Sequence, residues 1–139
     1  MAVEKHTISL ATRGFCDIVD ITAQVEGRIQ DSALQDGIAT VFVGGSTASV
    51  STIEYESGAI RDLQEAIEKI APQEGFYHHN ARWGDGNGFS HVRSALLGPS
   101  ITLPFEGKQM MLGTWQQIIF IDFDNRSRNR QVIVQLIGE

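Results

Sequence analysis

Residues 77–93 read Tyr77-His78-His79-Asn80-Ala81-Arg82-Trp83-Gly84-Asp85-Gly86-Asn87-Gly88-Phe89-Ser90-His91-Val92-Arg93, which sets three of the chain's four histidines, a carboxylate and two arginines among three glycines. Imidazole offers a base, an acid or a metal ligand, and guanidinium a planar fork for anions, while glycine lets backbone pass close to a ligand. A small-molecule site is the first expectation. His79 and His91, each six residues from Asp85, could place two nitrogens and one oxygen on a divalent ion such as zinc. The same histidines could instead work without metal, as acid/base or hydrogen-bonding groups. The spacing matches no standard zinc signature. Nor is Asp85-Gly86-Asn87-Gly88 an EF-hand loop, because Phe89 stands where the fifth position needs an oxygen ligand.

His78 and His79 are neighbours, so on an extended backbone they point to opposite faces and one of them reaches a shared site. Arg93 is the anion-binding candidate, with a surface ion pair as the alternative. Gly44-Gly45-Ser46-Thr47 supplies backbone N–H groups and hydroxyls after an apolar run, a turn that can nest a phosphate, although no Lys follows to make it a Walker loop. Gly45, Ser46, Thr47 and Asn87 therefore join Arg93 as candidate phosphate contacts. Glu54 and Glu56 flank Tyr55, and either carboxylate could act as base or metal ligand or simply be exposed. The single Cys16 has no histidine nearby, and no Gly-x-Ser-x-Gly elbow is present, so neither a thiolate nor a serine nucleophile is indicated.

These residues need a scaffold. Residues 5–13 alternate polar and apolar as a half-buried strand does. Ile21, Val25 and Ile29 recur four apart, an amphipathic helix over about 20–34 with Asp20 or Thr22 as N-cap. Residues 38–43 are β-branched and apolar between glycines, which predicts a central strand covered on both faces. A strand over 46–53 follows, then a helix from about Ile60, stopped near Pro72. A short third helix is expected over 91–97, ended by Gly98-Pro99. Strands at 101–105, 109–112, 115–123 and 131–137 complete the chain, with a hairpin between the last two. The fold class is α+β, with largely antiparallel sheets and two main helices.

At 139 residues the chain suits one domain spanning 1–139, burying roughly 68–70% of the surface its unfolded form exposes. A lone cysteine fits a reducing compartment, and no leader or membrane-spanning run is evident, so the cytoplasm is expected. The net charge of −6 argues against a general nucleic-acid binder. Arg126-Ser127-Arg128-Asn129-Arg130, the one dense basic run, follows Asp122 and Asp124 and reads as a solvated turn. Gly113-Thr114-Trp115-Gln116-Gln117 carries two amides that must be bonded if buried, which points to a structural knot or a pocket.

Together Ser46-Thr47-Ala48, the 77–93 block, Leu96-Leu97-Gly98-Pro99-Ser100, Leu112-Gly113-Thr114-Trp115-Gln116-Gln117 and the closing Val134-Gln135-Leu136-Ile137-Gly138-Glu139 resemble the secondary thiamine-phosphate synthase (YjbQ-like) family. The resemblance implies a YjbQ-like fold, a homotrimer with sites near subunit contacts, and a small phosphorylated metabolite as ligand. It implies a transferase that joins a pyrimidine diphosphate to a thiazole phosphate with release of pyrophosphate. His79 and His91 match the family's two central histidines, and Arg93 its basic position. Many members carry a histidine before the Thr-Thr-Ala segment; Gly45 stands there in this chain, so a three-histidine metal set would lack one ligand, and Glu54 could supply a carboxylate. The implied catalytic residues are His79, His91 and Glu54. The implied cofactor is a divalent metal, Mg²⁺ or Zn²⁺, held by His79, His91 and Asp85, with no organic cofactor. The alternatives are a metal- or metabolite-binding trimer with incidental activity, or a metal-dependent hydrolase with Glu54 or Glu56 as base.

Overall fold

A computed structural model describes residues 1–139. Its elements are β1 (Ala2–Thr12), β2 (Asp17–Asp20), α1 (Thr22–Asp31), β3 (Gly37–Val43), β4 (Ala48–Ile53), α2 (Ser57–Ile70), α3 (His78–Trp83), α4 (Gly88–Leu97), β5 (Ser100–Glu106), β6 (Gln109–Met110), β7 (Gln117–Asp122) and β8 (Arg128–Gly138). Two antiparallel sheets result, one of five strands in the order β1-β8-β3-β5-β6 and one of three in the order β2-β7-β4. The class is α+β, as the alternation and helical spacings predict, with four helices rather than two and a short third.

The main core lies between the sheets, where Ala39, Val41 and Val43 of β3 and Val132, Val134 and Leu136 of β8 meet Ala48 and Val50 of β4 and Ile118 and Phe120 of β7. Helix α1 adds Val25 and Ile29, both fully buried, so its apolar spacing does face this core. A second cluster on the other side of the small sheet joins Ile119, Ile121 and Phe123 to Ile67 of α2, with Leu97 of α4 packed against it. The layers therefore run large sheet, small sheet, then α2 and α4, with α1 packed against the core between the sheets.

The strand covered on both faces is β7, whose Ile118, Ile119, Phe120 and Ile121 are all fully buried. Strand β3, expected in that role, is covered on one face only: Ala39, Val41 and Val43 are buried while Ile38 and Phe42 are 42% and 38% exposed. Its outer face belongs to an apolar row, since register sets Val3 opposite Ile137, and Ile38 between Ile137 and Pro104. Gly138 and Gly37 allow the β3 and β8 backbones to close up at this edge; a Cβ on Gly138 would overlap the Asp36 carbonyl.

The expected hairpin between the last two strands is not one. β7 pairs with β2 and β4, and β8 with β1 and β3, so residues 123–127 cross from one sheet to the other. Residues 13–16 and 44–47 make the same crossing. All three crossings meet at one end of the molecule: Phe15 N–H donates to Asp124 O at 2.8 Å and Phe123 N–H to Thr47 O at 3.0 Å.

Candidate functional site

The convergence of crossings is held by a buried charge network. Asp122 and Asp124 are fully buried. Arg130 grips Asp122 through Nε (2.7 Å) and Nη2 (2.9 Å), Thr12 Oγ1 donates to Asp122 at 2.5 Å, and Arg128 Nε donates to Asp124 at 2.8 Å. Burial alone would push both carboxyls up. Hydrogen bonds from Arg130, Thr12 and the Asp124 backbone outweigh it at Asp122, and bonds from Arg128, Asn125 N–H and Asn87 outweigh it at Asp124, so both sit below the usual carboxylate range. The Arg130 guanidinium is raised by the same bond to Asp122. Two carboxylates against two guanidiniums leave the network neutral. The basic run read as a solvated turn thus supplies the counterions of buried acids.

Thr47 belongs to this network rather than to open solvent: it is buried, accepts from Arg130 Nη2 at 2.8 Å and lies 3.4 Å from Asp124. Gly45 and Ser46 are exposed above it, and a Cβ at Gly45 would come 3.7 Å from Arg130 Nη1. Asn87 donates to Asp124 Oδ1 at 3.2 Å while its own Oδ1 is buried without a partner. Asn125 Nδ2 donates to Asp85 O at 2.8 Å. The loop from Gly84 to Asn87 is therefore tied to the 123–127 crossing, directly above the paired charges.

Residues 78–83 form a helix, not an extended segment, so His78 and His79 are about 100° apart around its axis rather than opposed. His79 Nδ1 lies 3.3 Å from Asp85 Oδ1, and the His79 and His91 rings are 4.4 Å apart, tilted by 48°. His78 turns away to meet Phe76 edge-on at 5.2 Å. Helix α3 ends at Gly84 with φ 71°, and Gly88 N–H donates to Asn80 Oδ1 at 2.8 Å, which brings the start of α4 back against α3 and sets His91 beside His79. Ser94 fixes the other end of α4, its Oγ donating to Ala48 O at 2.6 Å.

His79, His91 and Asp85 are thus brought together. His79 Nδ1 is buried without a hydrogen bond of good geometry, so its approach to Asp85 is a close polar contact rather than a formed bond. As a donor set, two imidazoles and a carboxylate suit zinc, yet no three His, Cys, Asp or Glu side chains converge closely enough to hold an ion. The residues of this chain alone do not make a closed metal centre.

Arg93 is placed elsewhere. Two positions after His91 on a helix, it projects about 200° around the axis, where it is 4% exposed. There its Nε donates to Ala71 O at 2.9 Å, its Nη2 to Glu68 at 2.6 Å, and its guanidinium lies 4.9 Å from the Phe89 ring. It ties α2 to α4 and takes no place beside the histidines. Glu54 lines a separate cleft with Asp20, Tyr55, Trp115 and Gln117. Glu56 caps α2, accepting from Gly58 N–H at 2.5 Å and Ala59 N–H at 2.9 Å, which lowers its pKa. Gln117 Oε1 accepts from Tyr55 N–H and Gln116 from Gly113 N–H, so the amides are structural. Burial pushes the Cys16 thiol up to about 11, only partly offset by the Arg93 charge.

Sequence reasoning missed Asp122, Asp124, Arg128 and Arg130 as parts of the site's foundation. The available signal was two acids and two arginines at spacings of two, four and eight.

Two antiparallel sheets that exchange strands at one end, with α2 and α4 on the outer side of the smaller sheet, define a class of small α+β proteins. Solved structures share that fold. A YbjQ-like protein of unknown function from Sulfolobus solfataricus superposes with a TM-score of 0.94 at 30% identity, covering 99% of each chain. A YjbQ/UPF0047 protein from Clostridium acetobutylicum gives 0.87 at 33% identity, covering 95% of this chain and 99% of that one. The sequence model of one family, described as UPF0047 protein YjbQ-like, matches residues 6–139. A UPF0047 protein of Methanothermobacter thermautotrophicus is 37% identical over 139 residues, covering all of this chain and 95% of the relative. The chain belongs to the YjbQ-like UPF0047 family. No helix in it is long and apolar enough to cross a membrane.

Proposed function

We propose that the chain is a small-molecule enzyme working at His79, Asp85 and His91, and that its reaction is thiamine-phosphate synthesis from a pyrimidine diphosphate and a thiazole phosphate. The observation that supports it is the His79–His91 ring contact, with one imidazole backed by Asp85, on a rim open to solvent. In this reaction the thiazole nitrogen lone pair bonds to the pyrimidine methylene carbon as the C–O bond to diphosphate breaks. The electron pair of that bond leaves with pyrophosphate, so the site must chiefly stabilise the departing anion. Asp85 at Nδ1 orients His79 and stabilises its imidazolium, which leaves Nε2 to donate to the leaving oxygen. His91 is the second donor.

Arg93 holds Glu68 and Ala71, so in this reading the anion is met by the imidazoles rather than by that arginine. A divalent ion would need a ligand beyond His79, His91 and Asp85, and a homotrimer with its sites at subunit contacts is the arrangement that could provide one. The apolar row of exposed Val3, Ile38 and Pro104 with half-buried Ile137, and the exposed Ile70 and Leu96, are surfaces on which such an assembly could form.

The test is thiamine-phosphate formation by purified protein with Mg²⁺ or Zn²⁺ added, beside a folded His79→Ala variant. Turnover by the wild type that disappears in the variant supports the assignment. Turnover absent, or equal in both proteins, rejects it and leaves a metal- or metabolite-binding protein of this fold.

A further inference from the structure

The small sheet has two ends. At the end where the chain crosses between sheets, Asp122 pairs with Asp17 and Ala48; at the other, Ile119 pairs with Asp20 and Gln117 with Ile53. A cleft of about 470 Å³ opens at this second end, lined by Asp20, Glu54, Tyr55, Glu56, Trp115 and Gln117. Its volume falls within the range of small-molecule sites. Three carboxylates, brought there by the ends of β2 and β4 and the cap of α2, share it with two aromatic rings, and no Lys, Arg or His lines it. Glu56 is met by the first N–H groups of α2, and Asp20 Oδ1 by Thr22. Asp20 Oδ2 and both oxygens of the exposed Glu54 have no partner in the chain.

The rings add an independent argument. Tyr55 is pinned at both ends, its hydroxyl donating to Ile18 O and its backbone N–H to Gln117 Oε1, each at 2.9 Å. Trp115 stands on a turn closed by Gln116 N–H to Gly113 O at 3.0 Å and tied to β4 by Gln116 Nε2 to Thr52 Oγ1 at 3.2 Å. Polar bonds thus fix both side chains at the cleft, yet packing covers neither: Tyr55 is 44% and Trp115 70% exposed. Open aromatic faces beside unpaired carboxylates suit a cation carried on an aliphatic body. Spacing decides the kind of cation. No three acidic side chains converge closely enough to hold one metal ion, so a point charge cannot serve them together. A linear molecule with separated ammonium groups can reach two of them while its methylenes lie along the rings.

We propose that this cleft binds a linear aliphatic amine carrying at least two ammonium groups, with its charges on Glu54 and Asp20 and its methylenes against Tyr55 and Trp115. Each ammonium donates to carboxylate oxygens that the fold leaves unbonded. The chain's net charge of −6 adds a long-range attraction for such a ligand. The assignment goes beyond the synthase reading and stands without it, because the histidines lie at the crossing end and equilibrium binding requires no turnover.

The test is a titration of the full chain with putrescine, spermidine, n-butylammonium and Mg²⁺ at constant ionic strength, followed by amide chemical shifts and calorimetry. Putrescine and spermidine are expected to saturate with shifts at residues 20, 54–56, 115 and 117. Butylammonium, with the hydrocarbon body of putrescine and one ammonium fewer, should bind at least about fivefold more weakly. Glu54→Gln, an exposed substitution, should weaken putrescine binding about fivefold. Trp115→Ala changes no charge, so its expected loss of about threefold or more separates binding in the cleft from a diffuse counterion effect. Shifts confined to other surfaces, affinity for butylammonium or Mg²⁺ equal to that for putrescine, or full affinity in both folded variants would overturn the proposal. Should Trp115→Ala fail to fold, the butylammonium and Glu54→Gln comparisons decide it.

Discussion

Two clusters of charge sit one loop apart and differ in how completely they are partnered. At Asp122, Asp124, Arg128 and Arg130 every carboxylate is gripped by an arginine and by further hydrogen bonds. At His79, His91 and Asp85 the nearest polar contact is 3.3 Å, outside good hydrogen-bond geometry, and Asp85 is half exposed. A group whose bonds are all made inside the protein has nothing left for a ligand. Completeness therefore marks the first cluster as architecture, whereas the second keeps polar atoms free of protein partners.

Removing one partner from the complete cluster gives the largest expected effect. Asp122→Ala leaves Arg130 buried without its counterion and should cost about 3–5 kcal/mol in urea unfolding; a loss below about 1 kcal/mol would break the comparison. His79→Ala at the open cluster should do the reverse, lowering turnover by about 10²–10⁴-fold while unfolding at nearly the wild-type urea concentration. Equal damage to stability would make that histidine structural.

Arg93→Ala sharpens the comparison, because Arg93 was an anion candidate in sequence yet is fully engaged in the fold. It should lose about 2 kcal/mol of stability by thermal or urea melts, and the KM for phosphorylated substrates should not change while the variant remains folded. A sharp rise in KM would return Arg93 to the site. The smallest effect is the response to mild acid. Asp122 and Asp124 have lowered pKa values in the folded state, so the stability they contribute is complete above the unfolded value of about 4 and is lost as pH falls through the folded values. Unfolding free energy should stay nearly level from about pH 7 to pH 5 and fall below about pH 4, and Asp122→Asn should flatten that fall.

The parts legible in the sequence were those governed by local periodicity. Ile21, Val25 and Ile29 mark one helix face and are all fully buried. Asp20 does assist the start of α1, accepting from Thr22 N–H and Oγ1, although Ile21 occupies the cap position itself. Position in a helix also explains the main reversal: His91 and Arg93, two residues apart and both assigned to one site, project about 200° apart in α4, which starts at Gly88, three residues earlier than expected, where the Gly88 N–H finds Asn80. That contact is tertiary, and glycines at 84, 86 and 88 read locally as loop. The buried acids were hidden for a similar reason, since Thr12 and Thr47, which mark the crossings, lie far from Asp122 and Asp124 in the chain. The outer face of β3 misled because an apolar run signals coverage without saying whether the covering surface belongs to the same chain.

The strand order of the large sheet has a consequence for synthesis. β8, made long after β1 and β3, lies between them, so both earlier strands wait with an open edge until it emerges. Exposed edges of that kind invite pairing with other chains. A nascent chain stalled before residue 128 would present two such edges and lack Arg128 and Arg130, the counterions for acids already made. For this fold, a ribosome pause after β3 and before β8 is the dangerous one.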